Sequence, residues 1–240
     1  MDPTGYAVGE QNQRQMRRLE TVAANLANAS TPGYKRAIPA FSAVLEEAAS
    51  VGEQDGTTGD AEGFGFMVDR SQGPLRQTGR RLDLAIYGKG FFVVATPRGE
   101  RYTRKGRLYA DPYGEVTDAS GNPFLGKDGP LNLPADAGDV VVSEGGQLTA
   151  DGRSVGQLLL VEPDESARLI PEGDGLYRIE GARPGPAVGS SVVQGSIEDS
   201  NVKPMRELVQ MIELMRSYES SSKVLKRIGR LNGELIQTTA

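Results

Sequence analysis

The middle of the chain contains the stretch Leu82-Asp83-Leu84-Ala85-Ile86-Tyr87-Gly88-Lys89-Gly90-Phe91-Phe92-Val93-Val94, in which two short apolar runs flank a glycine-rich turn. Short runs rich in aromatic and branched residues, bounded by turn residues, predict β-strands. Similar runs recur further along, at residues 140–142, 157–161 and 176–179. Because no helix-length crossover sits between these runs, the sequence predicts a largely antiparallel sheet with hairpin turns, one of them at Gly88–Gly90.

The segment before this β region has helical periodicity. From about Gly5 to Asn28, apolar residues fall at three- and four-residue steps and form one narrow stripe. Ser30-Thr31-Pro32-Gly33 then ends the predicted helix, because proline lacks a backbone donor and glycine tolerates the positive φ of a turn. The stretch from Ser50 to Gly65 is rich in Gly, Asp, Glu and Thr, which predicts a flexible linker or loop.

Helical periodicity returns from about Pro204 to Gln237. Apolar or small residues there alternate three- and four-residue steps, which predicts a seam with a repeat close to 3.5 through Leu208, Met211, Met215, Tyr218, Ser222 and Leu225. A proline near the start suits a helix, because the first-turn N–H groups have no partner within the helix. Basic residues in the later part also suit it, because they interact favourably with the negative end of the helix macrodipole.

The sequence therefore predicts an α+β fold. An antiparallel β-rich central domain is flanked by long N- and C-terminal helices that pack together as a coiled-coil-like assembly core. The predicted segments are an N-terminal assembly helix and turn at 1–36, an extended segment and flexible linker at 37–71, the β-rich domain at 72–190, and a strand or turn with a long assembly helix at 191–240.

Composition argues against several classes of function. The chain has 27 Lys and Arg against 32 Asp and Glu, a net charge of -5, which is the wrong sign for a nucleic-acid partner. It has no His and no Cys, which removes the usual zinc sites and the Ser-His and Cys-His nucleophile pairs. We therefore predict no enzyme activity and no catalytic, cofactor or metal site.

Three motifs resemble functional sites, but a structural interpretation fits each of them better. Gly88-Lys89-Gly90 begins like a dinucleotide fingerprint, and Gly121 to Asp128 nearly spells a phosphate-binding loop, but no helix follows either of them and both are interpreted as turns. Asp111, Glu115 and Asp118 could form paired carboxylates that cut cell-wall glycan, although their place in a Pro-Gly turn segment favours surface residues.

The two ends of the chain share one property: each carries a single apolar stripe on a helix that is otherwise polar. An isolated helix of this kind is marginal in water, because most helical stability comes from packing a face. Two hypotheses remain open on periodicity alone. The stripes belong either to a subunit that polymerises through its ends, or to a two-helix hairpin in a monomeric β-domain enzyme or adhesin, such as a peptidoglycan hydrolase.

The segment Asn25-Leu26-Ala27-Asn28-Ala29-Ser30-Thr31-Pro32-Gly33-Tyr34-Lys35 resembles the N-terminal signature of flagellar rod and hook proteins. Further blocks resemble the family in the same order, at Gln72–Gly79, Leu82–Ile86, Gly88–Val94, Tyr102–Gly106, Gln194–Val202, Met211–Glu213 and Arg216–Glu219. Together they span nearly the whole chain. The short length and compact middle resemble the proximal-rod type more than the distal-rod or hook types.

This resemblance implies a structural subunit that polymerises into the periplasmic drive shaft of the bacterial flagellum. The implied location is the basal-body rod, reached by export without a cleaved signal peptide. The implied partners are other copies of the chain, distal-rod and more proximal rod subunits, the flagellar type III export apparatus and the surrounding ring bushing. Together with the stripes, it predicts assembly contacts at Leu19, Val22, Leu26, Asn28, Thr31, Gly33, Tyr34, Leu208, Met211, Ile212, Met215, Tyr218 and Leu225.

Overall fold

The computed structural model describes residues 3–39, 66–134 and 137–238, without the side chains of 3–8, 10, 225 and 228–238. The predicted linker from Ser50 to Gly65 lies outside the described residues. The described chain forms two units. One contains the two terminal helices and residues 37–39, and the other contains residues 28–36 and 67–202.

In the described chain one helix precedes the β region and one follows it: α1 spans Pro3–Ala27 and α2 spans Pro204–Thr238. After α1 the backbone turns tightly, since Thr31 N–H donates to the Asn28 carbonyl at 3.0 Å and Tyr34 N–H donates to the Thr31 carbonyl at 3.2 Å. Pro204 occupies the first turn of α2, where a missing N–H does not disturb the helix. Neither helix, within its described residues, is long and apolar enough to cross a membrane.

The way the helices meet differs from the prediction. Leu208 and Met215, expected at the inward positions of a seam, are 39% and 47% exposed. Glu207 is instead fully buried on the helix and accepts a hydrogen bond from Asn25 of α1 at 3.3 Å. A coiled coil needs apolar residues along its inward positions. The prediction of long helices packed as a coiled-coil-like core is therefore wrong, and the fold is two helices flanking an antiparallel β-rich domain.

The β region consists of many short strands. Their bounds are β1 Ala37–Pro39, β2 Phe66–Val68, β3 Leu75–Gln77, β4 Leu84–Tyr87, β5 Phe91–Thr96, β6 Gly99–Thr103, β7 Tyr109–Ala110, β8 Val116–Thr117, β9 Leu125–Gly126, β10 Gly129–Pro130, β11 Val140–Val142, β12 Gln147–Ala150, β13 Arg153–Gln157, β14 Leu160–Glu162, β15 Arg168–Gly173, β16 Leu176–Glu180, β17 Gly185–Pro186, β18 Ser191–Gln194 and β19 Ser196–Glu198.

The largest sheet of the described chain has six strands in the order β15-β16-β6-β5-β14-β17, and its pairs are antiparallel. Strands β11, β12 and β13 form a second antiparallel sheet. Two pairs join the region to its last strands: β4 with β18, and β3 with β19. The predicted antiparallel character is confirmed.

One predicted hairpin is wrong. The turn at Gly88–Gly90 joins β4, which pairs with β18, to β5, which pairs with β6 and β14, so it connects strands of two different sheets. Glycine is needed at Gly88, where φ is 115° and an added Cβ would lie 2.7 Å from the Ser190 hydroxyl oxygen. By contrast, Thr96 and Gly99 pair directly, which makes β5 and β6 a true hairpin.

Strand β5 is buried on both faces and divides the core. Phe92 and Val94 belong to one apolar cluster, and Phe91 and Val93 belong to another. This alternation is the period of two expected of a strand. Phe92 packs edge-on against Phe124 with ring centroids 5.9 Å apart.

Candidate assembly site

An apolar face of α2 is exposed. Five large side chains, which we name the outer face, are between 39% and 74% exposed: Met205, Leu208, Val209, Ile212 and Met215. They recur at three- and four-residue steps, so they lie along one side of the helix. Large exposed apolar patches mark protein–protein or membrane interaction sites, ligand-binding grooves or aggregation-prone surfaces, so the outer face is the candidate assembly site.

The opposite side of α2 is covered. Glu207 is fully buried, and Met211, Leu214 and Tyr218, which share its side of the helix by spacing, are half-buried. The predicted site residues of α2 are thus divided between two sides. Met211 and Tyr218 lie on the covered side, whereas Leu208, Ile212 and Met215 lie on the outer face.

A buried polar contact holds α1, α2 and strand β1 together. Asn25, 1% exposed, donates from Nδ2 to the Ala37 carbonyl at 2.8 Å, and its Oδ1 accepts from Ala37 N–H at 2.8 Å. The same Nδ2 donates to Glu207 Oε2 at 3.3 Å. One amide therefore satisfies both backbone groups of Ala37 and a buried carboxylate, as buried polar groups require.

The predicted site residues of α1 lie near this contact in the chain. Val22 is 3% exposed, and Leu19 and Leu26 are half-buried. The side chain of Leu225, predicted on α2, lies outside the described residues. Asn25 and Glu207 themselves were absent from the predicted set, because a buried amide and a buried carboxylate look like surface residues in a sequence.

The signature residues that follow α1 belong to the β-rich unit. Thr31 Oγ1 donates to Asn28 Oδ1 at 3.2 Å, and Tyr34, half-buried, follows the turn. Gly33 has a φ of 71° and donates its N–H to the Glu198 carbonyl at 2.7 Å. An added Cβ at Gly33 would lie 2.6 Å from backbone atoms of Arg104 and Lys105, so only glycine fits. The predicted site residues thus form two groups, one in each unit.

The residues after this turn contain a buried ionic cluster that we did not predict, formed by Lys35, Arg104 and Glu198. Lys35 Nζ lies 2.6 Å from Glu198 Oε1, and Arg104 Nη1 lies 3.1 Å from Glu198 Oε2, with all three side chains at most 1% exposed. Burial is the main cause that lowers the pKa of Lys35 and of Arg104, and the charge of Glu198 acts in the opposite direction.

A signal for the ionic cluster was present in the sequence. Its three members lie in three separate blocks that carry the family resemblance: Asn25–Lys35, Tyr102–Gly106 and Gln194–Val202. Charged residues inside otherwise apolar or turn-forming blocks are candidates for buried pairs, since isolated buried charges are costly.

Two of the three carboxylates considered for glycan cleavage, Asp111 and Asp118, accept hydrogen bonds within turns. Asp111 Oδ1 accepts from Tyr113 N–H at 2.8 Å and from Glu115 N–H at 2.7 Å. Asp118 Oδ1 accepts from Ser120 N–H at 2.8 Å and from Asn122 N–H at 2.9 Å. Among the described residues, no group of three or more acidic side chains is arranged to hold a metal ion.

A cleft of about 460 Å³ lies in the β-rich unit beside Gly88. Both of its cations are engaged: Arg70 donates to the carbonyl of Asp164 at 2.8 Å, and Lys89 pairs with Glu165 at 3.4 Å across an exposed surface. These contacts hold the rim of the cleft in place.

Three family models match the sequence. They are the flagellar basal body rod FlgEFG protein C-terminal model at residues 193–238, the flagellar hook protein FlgE/F/G D1 domain model at 85–150, and the flagella basal body rod protein model at 10–35. The first covers all of α2, and the third covers most of α1 and the turn after it. The matches therefore include both groups of predicted site residues.

Three relatives are similar over most of their length. The flagellar basal-body rod protein FlgF of Caulobacter vibrioides is 35% identical, over 99% of this chain and 98% of the relative. FlgF of Salmonella typhimurium is 29% identical, over 99% of this chain and 98% of the relative. The flagellar basal-body rod protein FlgG of Agrobacterium fabrum is 32% identical, over 88% of this chain and 89% of the relative.

Proposed function

Since the chain belongs to the family of flagellar basal-body rod proteins and is a structural subunit of that rod, we propose that it is the proximal-rod subunit. In this role it polymerises into the part of the periplasmic drive shaft that passes motor torque towards the hook and filament. The match with FlgF over 99% of this chain, against 88% with FlgG, supports the proximal rather than the distal position.

The outer face of α2 is the surface through which the subunit joins its neighbours. Its five apolar side chains are held out by the polar contact on the other side of the helix, where Asn25 and Glu207 meet. Covering large apolar side chains is the main source of favourable free energy in most protein association. This exposed face, in a chain of a rod-forming family, is the observation that carries the proposal.

The remaining predicted contacts complete the proposed assembly site. Leu19, Val22 and Leu26 of α1 and Met211 and Tyr218 of α2 hold the helices in position behind the outer face. Asn28, Thr31, Gly33 and Tyr34 fix the turn that follows α1. Their partners are other copies of the chain, the distal-rod and more proximal rod subunits and the surrounding ring.

The subunit reaches the rod through the flagellar type III export apparatus, without cleavage of a signal peptide. Mass spectrometry of the protein from purified basal bodies measures this directly. We expect the N-terminal peptide to begin within the first few residues of the encoded chain, and loss of a longer leader would contradict the proposed route.

The protein has no catalytic role in this proposal. Asp111 and Asp118 are engaged as acceptors for backbone N–H groups of their own turns, which gives each a structural reason to be present. Incubation of the purified protein with peptidoglycan is the direct check, and hydrolysis that is lost on Glu115→Gln would contradict a purely structural role.

Charge insertion on the outer face tests the assembly site. We expect Leu208→Asp and Met215→Asp to abolish recovery of the protein in purified basal bodies and to abolish motility, because a carboxylate buried in an apolar contact lacks a partner. Ser220→Asp, at an exposed polar position of the same helix, is the matched control and should assemble. Normal motility of both variants would contradict the site.

Crosslinking tests the proximal position. The natural chain has no Cys, so Val209→Cys gives a single thiol on the outer face for crosslinking in intact basal bodies. We expect mass spectrometry to find crosslinks to other rod subunits. Crosslinks to the hook protein would place the chain at the distal end and contradict the proximal assignment.

A further inference from the structure

A single carboxylate is shared by two buried cations in the β-rich unit. Glu198 Oε1 is 2.6 Å from Lys35 Nζ, and Glu198 Oε2 is 3.1 Å from Arg104 Nη1. The three side chains are at most 1% exposed. The ionic cluster therefore contains two positive charges and one negative charge, and Glu198 is its only anion among the residues that define it.

The three residues come from distant parts of the chain. Lys35 lies shortly after α1, Arg104 follows β6, and Glu198 ends β19, a few residues before α2. Lys35 and Glu198 are 163 residues apart. The cluster therefore joins the first and last segments of the β-rich unit, which are the segments covalently continuous with the two helices.

Backbone contacts around the cluster tie the same segments. Lys35 Nζ donates to the Ser71 carbonyl at 2.7 Å, and Lys35 N–H donates to the Tyr177 hydroxyl at 2.9 Å. Glu198 Oε1 also accepts from Gly73 N–H at 2.8 Å. The Glu198 carbonyl accepts from Gly33 N–H at 2.7 Å. Glu198 thus orders its neighbours through both its side chain and its backbone.

Arg104 fixes the cluster to the centre of the unit. Its Nη2 donates to the Gly88 carbonyl at 2.7 Å, and its guanidinium carbon lies 4.9 Å from the centroid of the Phe91 ring. A cation over an aromatic face is stabilised when water is excluded. Arg104 therefore also contacts residues that lie outside the two end segments.

We propose that Glu198 is a positioning residue that couples the ordering of the two end segments, so that residues 28–36 become ordered only when β19 is docked. Lys35 cannot stay buried without the Glu198 carboxylate, since an uncompensated buried charge is strongly unfavourable. The last strand of the unit thereby controls the turn that follows α1. This coupling is a property of the single chain and is independent of its position in the rod.

The unequal charge count makes the coupling testable. Removal of the Glu198 charge leaves two neighbouring cations buried with no anion between them. Removal of the Lys35 charge leaves the Arg104–Glu198 pair, which is neutral. The first change should therefore be far more damaging than the second, and removing both charges should restore part of what the first change loses, because the repulsion between Lys35 and Arg104 is then absent.

Hydrogen exchange of the full-length monomer measures the coupling. We expect Glu198→Gln to increase amide exchange in both 30–36 and 191–198 by about 100-fold or more. Lys35→Met should increase exchange in both segments less than about 10-fold, and the double variant should exchange more slowly than Glu198→Gln. Asp199→Asn is the matched control, since it breaks an exposed pair with Arg76 at the next position and should leave both segments protected.

Three results would overturn the proposal: faster exchange in only one of the two segments, equal effects of Glu198→Gln and Asp199→Asn, or a double variant that exchanges as fast as the single Glu198→Gln chain. If Glu198→Gln does not fold, hydrogen exchange of the Lys35→Met variant tests the coupling. Faster exchange in both segments then supports the coupling, and faster exchange in 30–36 alone contradicts it. None of these measurements involves the flagellum, so a failure of the proposed rod position leaves them unaffected.

Discussion

Asn25→Ala removes the amide at the centre of the contact between α1, α2 and β1. The substitution deletes two hydrogen bonds of 2.8 Å to the backbone of Ala37 and one of 3.3 Å to Glu207. Because Asn25 is 1% exposed and Glu207 is fully buried, the shortened side chain leaves polar groups facing a site that water does not fill freely. The helices should therefore lose stability while the β-rich unit keeps its own core.

The size of the effect follows from the groups left without partners. A buried donor or acceptor that loses its partner costs about 1–3 kcal/mol. With two backbone groups of Ala37 and one bond to Glu207 affected, we expect the free energy of helix opening to fall by about 3–5 kcal/mol. This loss corresponds to amide exchange in 20–27 that is faster by about 100-fold or more.

Far-UV circular dichroism during heating and hydrogen exchange of the helices measure the loss. Gln13→Ala, at an exposed position of α1, is the matched control and should change stability by less than about 0.5 kcal/mol. Exchange in the β-rich unit should stay close to that of the natural chain. If Asn25→Ala and Gln13→Ala melt alike, the polar contact neither holds the helices together nor keeps the outer face of α2 exposed.

Three further predictions concern the β-rich unit. Gly33→Ala should lower the free energy of urea unfolding by more than about 1 kcal/mol, because φ is 71° and a Cβ would lie 2.6 Å from the backbone of Arg104; Gly79→Ala, with a φ of 72° and open space around it, should lose less. Phe92→Ala should cost about 3–5 kcal/mol in urea unfolding, since Phe92 is fully buried, and a loss below about 1 kcal/mol would contradict its place in the core. The free energy of unfolding of the natural chain, relative to that of Lys35→Met, should rise as pH increases from the lowered pKa of Lys35 to the ordinary lysine pKa of 10.5. In this pH range the unfolded chain binds a proton at Lys35 that the folded chain does not bind, so lower pH favours unfolding. A difference in urea unfolding that stays flat across this range would contradict a lowered pKa.

The pH prediction isolates Lys35 from the other groups that face it. Glu198, Arg104 and Asp69 all act on its charge, and the Tyr177 hydroxyl accepts its N–H. Burial raises the pKa of Tyr177, so this phenol weakens folding at alkaline pH, in the opposite direction to Lys35. Since Tyr177 is present in both chains, its contribution largely cancels in the comparison.

The local elements could be predicted because each has its own period in the sequence. Helical steps mark both ends, and the apolar runs around Phe91 and Leu176 mark strands. The pairing of these strands, by contrast, could not be predicted from the sequence. The Gly88–Gly90 turn has hairpin chemistry, yet β4 takes β18 as its partner, with Tyr87 opposite Ser191. Turn residues report the local bend, whereas the choice of partner strand depends on contacts a hundred residues away.

The faces of α2 were misassigned for a related reason. A periodicity argument places the apolar positions inward and the charged positions outward. Here Glu207 is fully buried and Leu208 is 39% exposed, and one partner of Glu207 is Asn25, 182 residues earlier. Two apolar stripes lie next to each other around the axis of α2, so residue spacing alone predicts a single seam. A pairwise contact between polar residues has no period, so composition and spacing do not reveal it.

The polar contact explains why the outer face stays available. In a monomer whose two helices hide their apolar side chains against each other, the stripe that could bind a neighbour would be used up inside the chain. On the covered side, Asn25 and Glu207 add a directional hydrogen bond to the burial of Val22, while Met205, Leu208 and Ile212 remain exposed. Burying those three side chains in a neighbour would stabilise the assembly by about 1.5–3 kcal/mol for each one fully covered. The covered side of the helical unit therefore combines one buried polar contact with apolar side chains such as Val22, and in the proposed function the outer face binds other subunits.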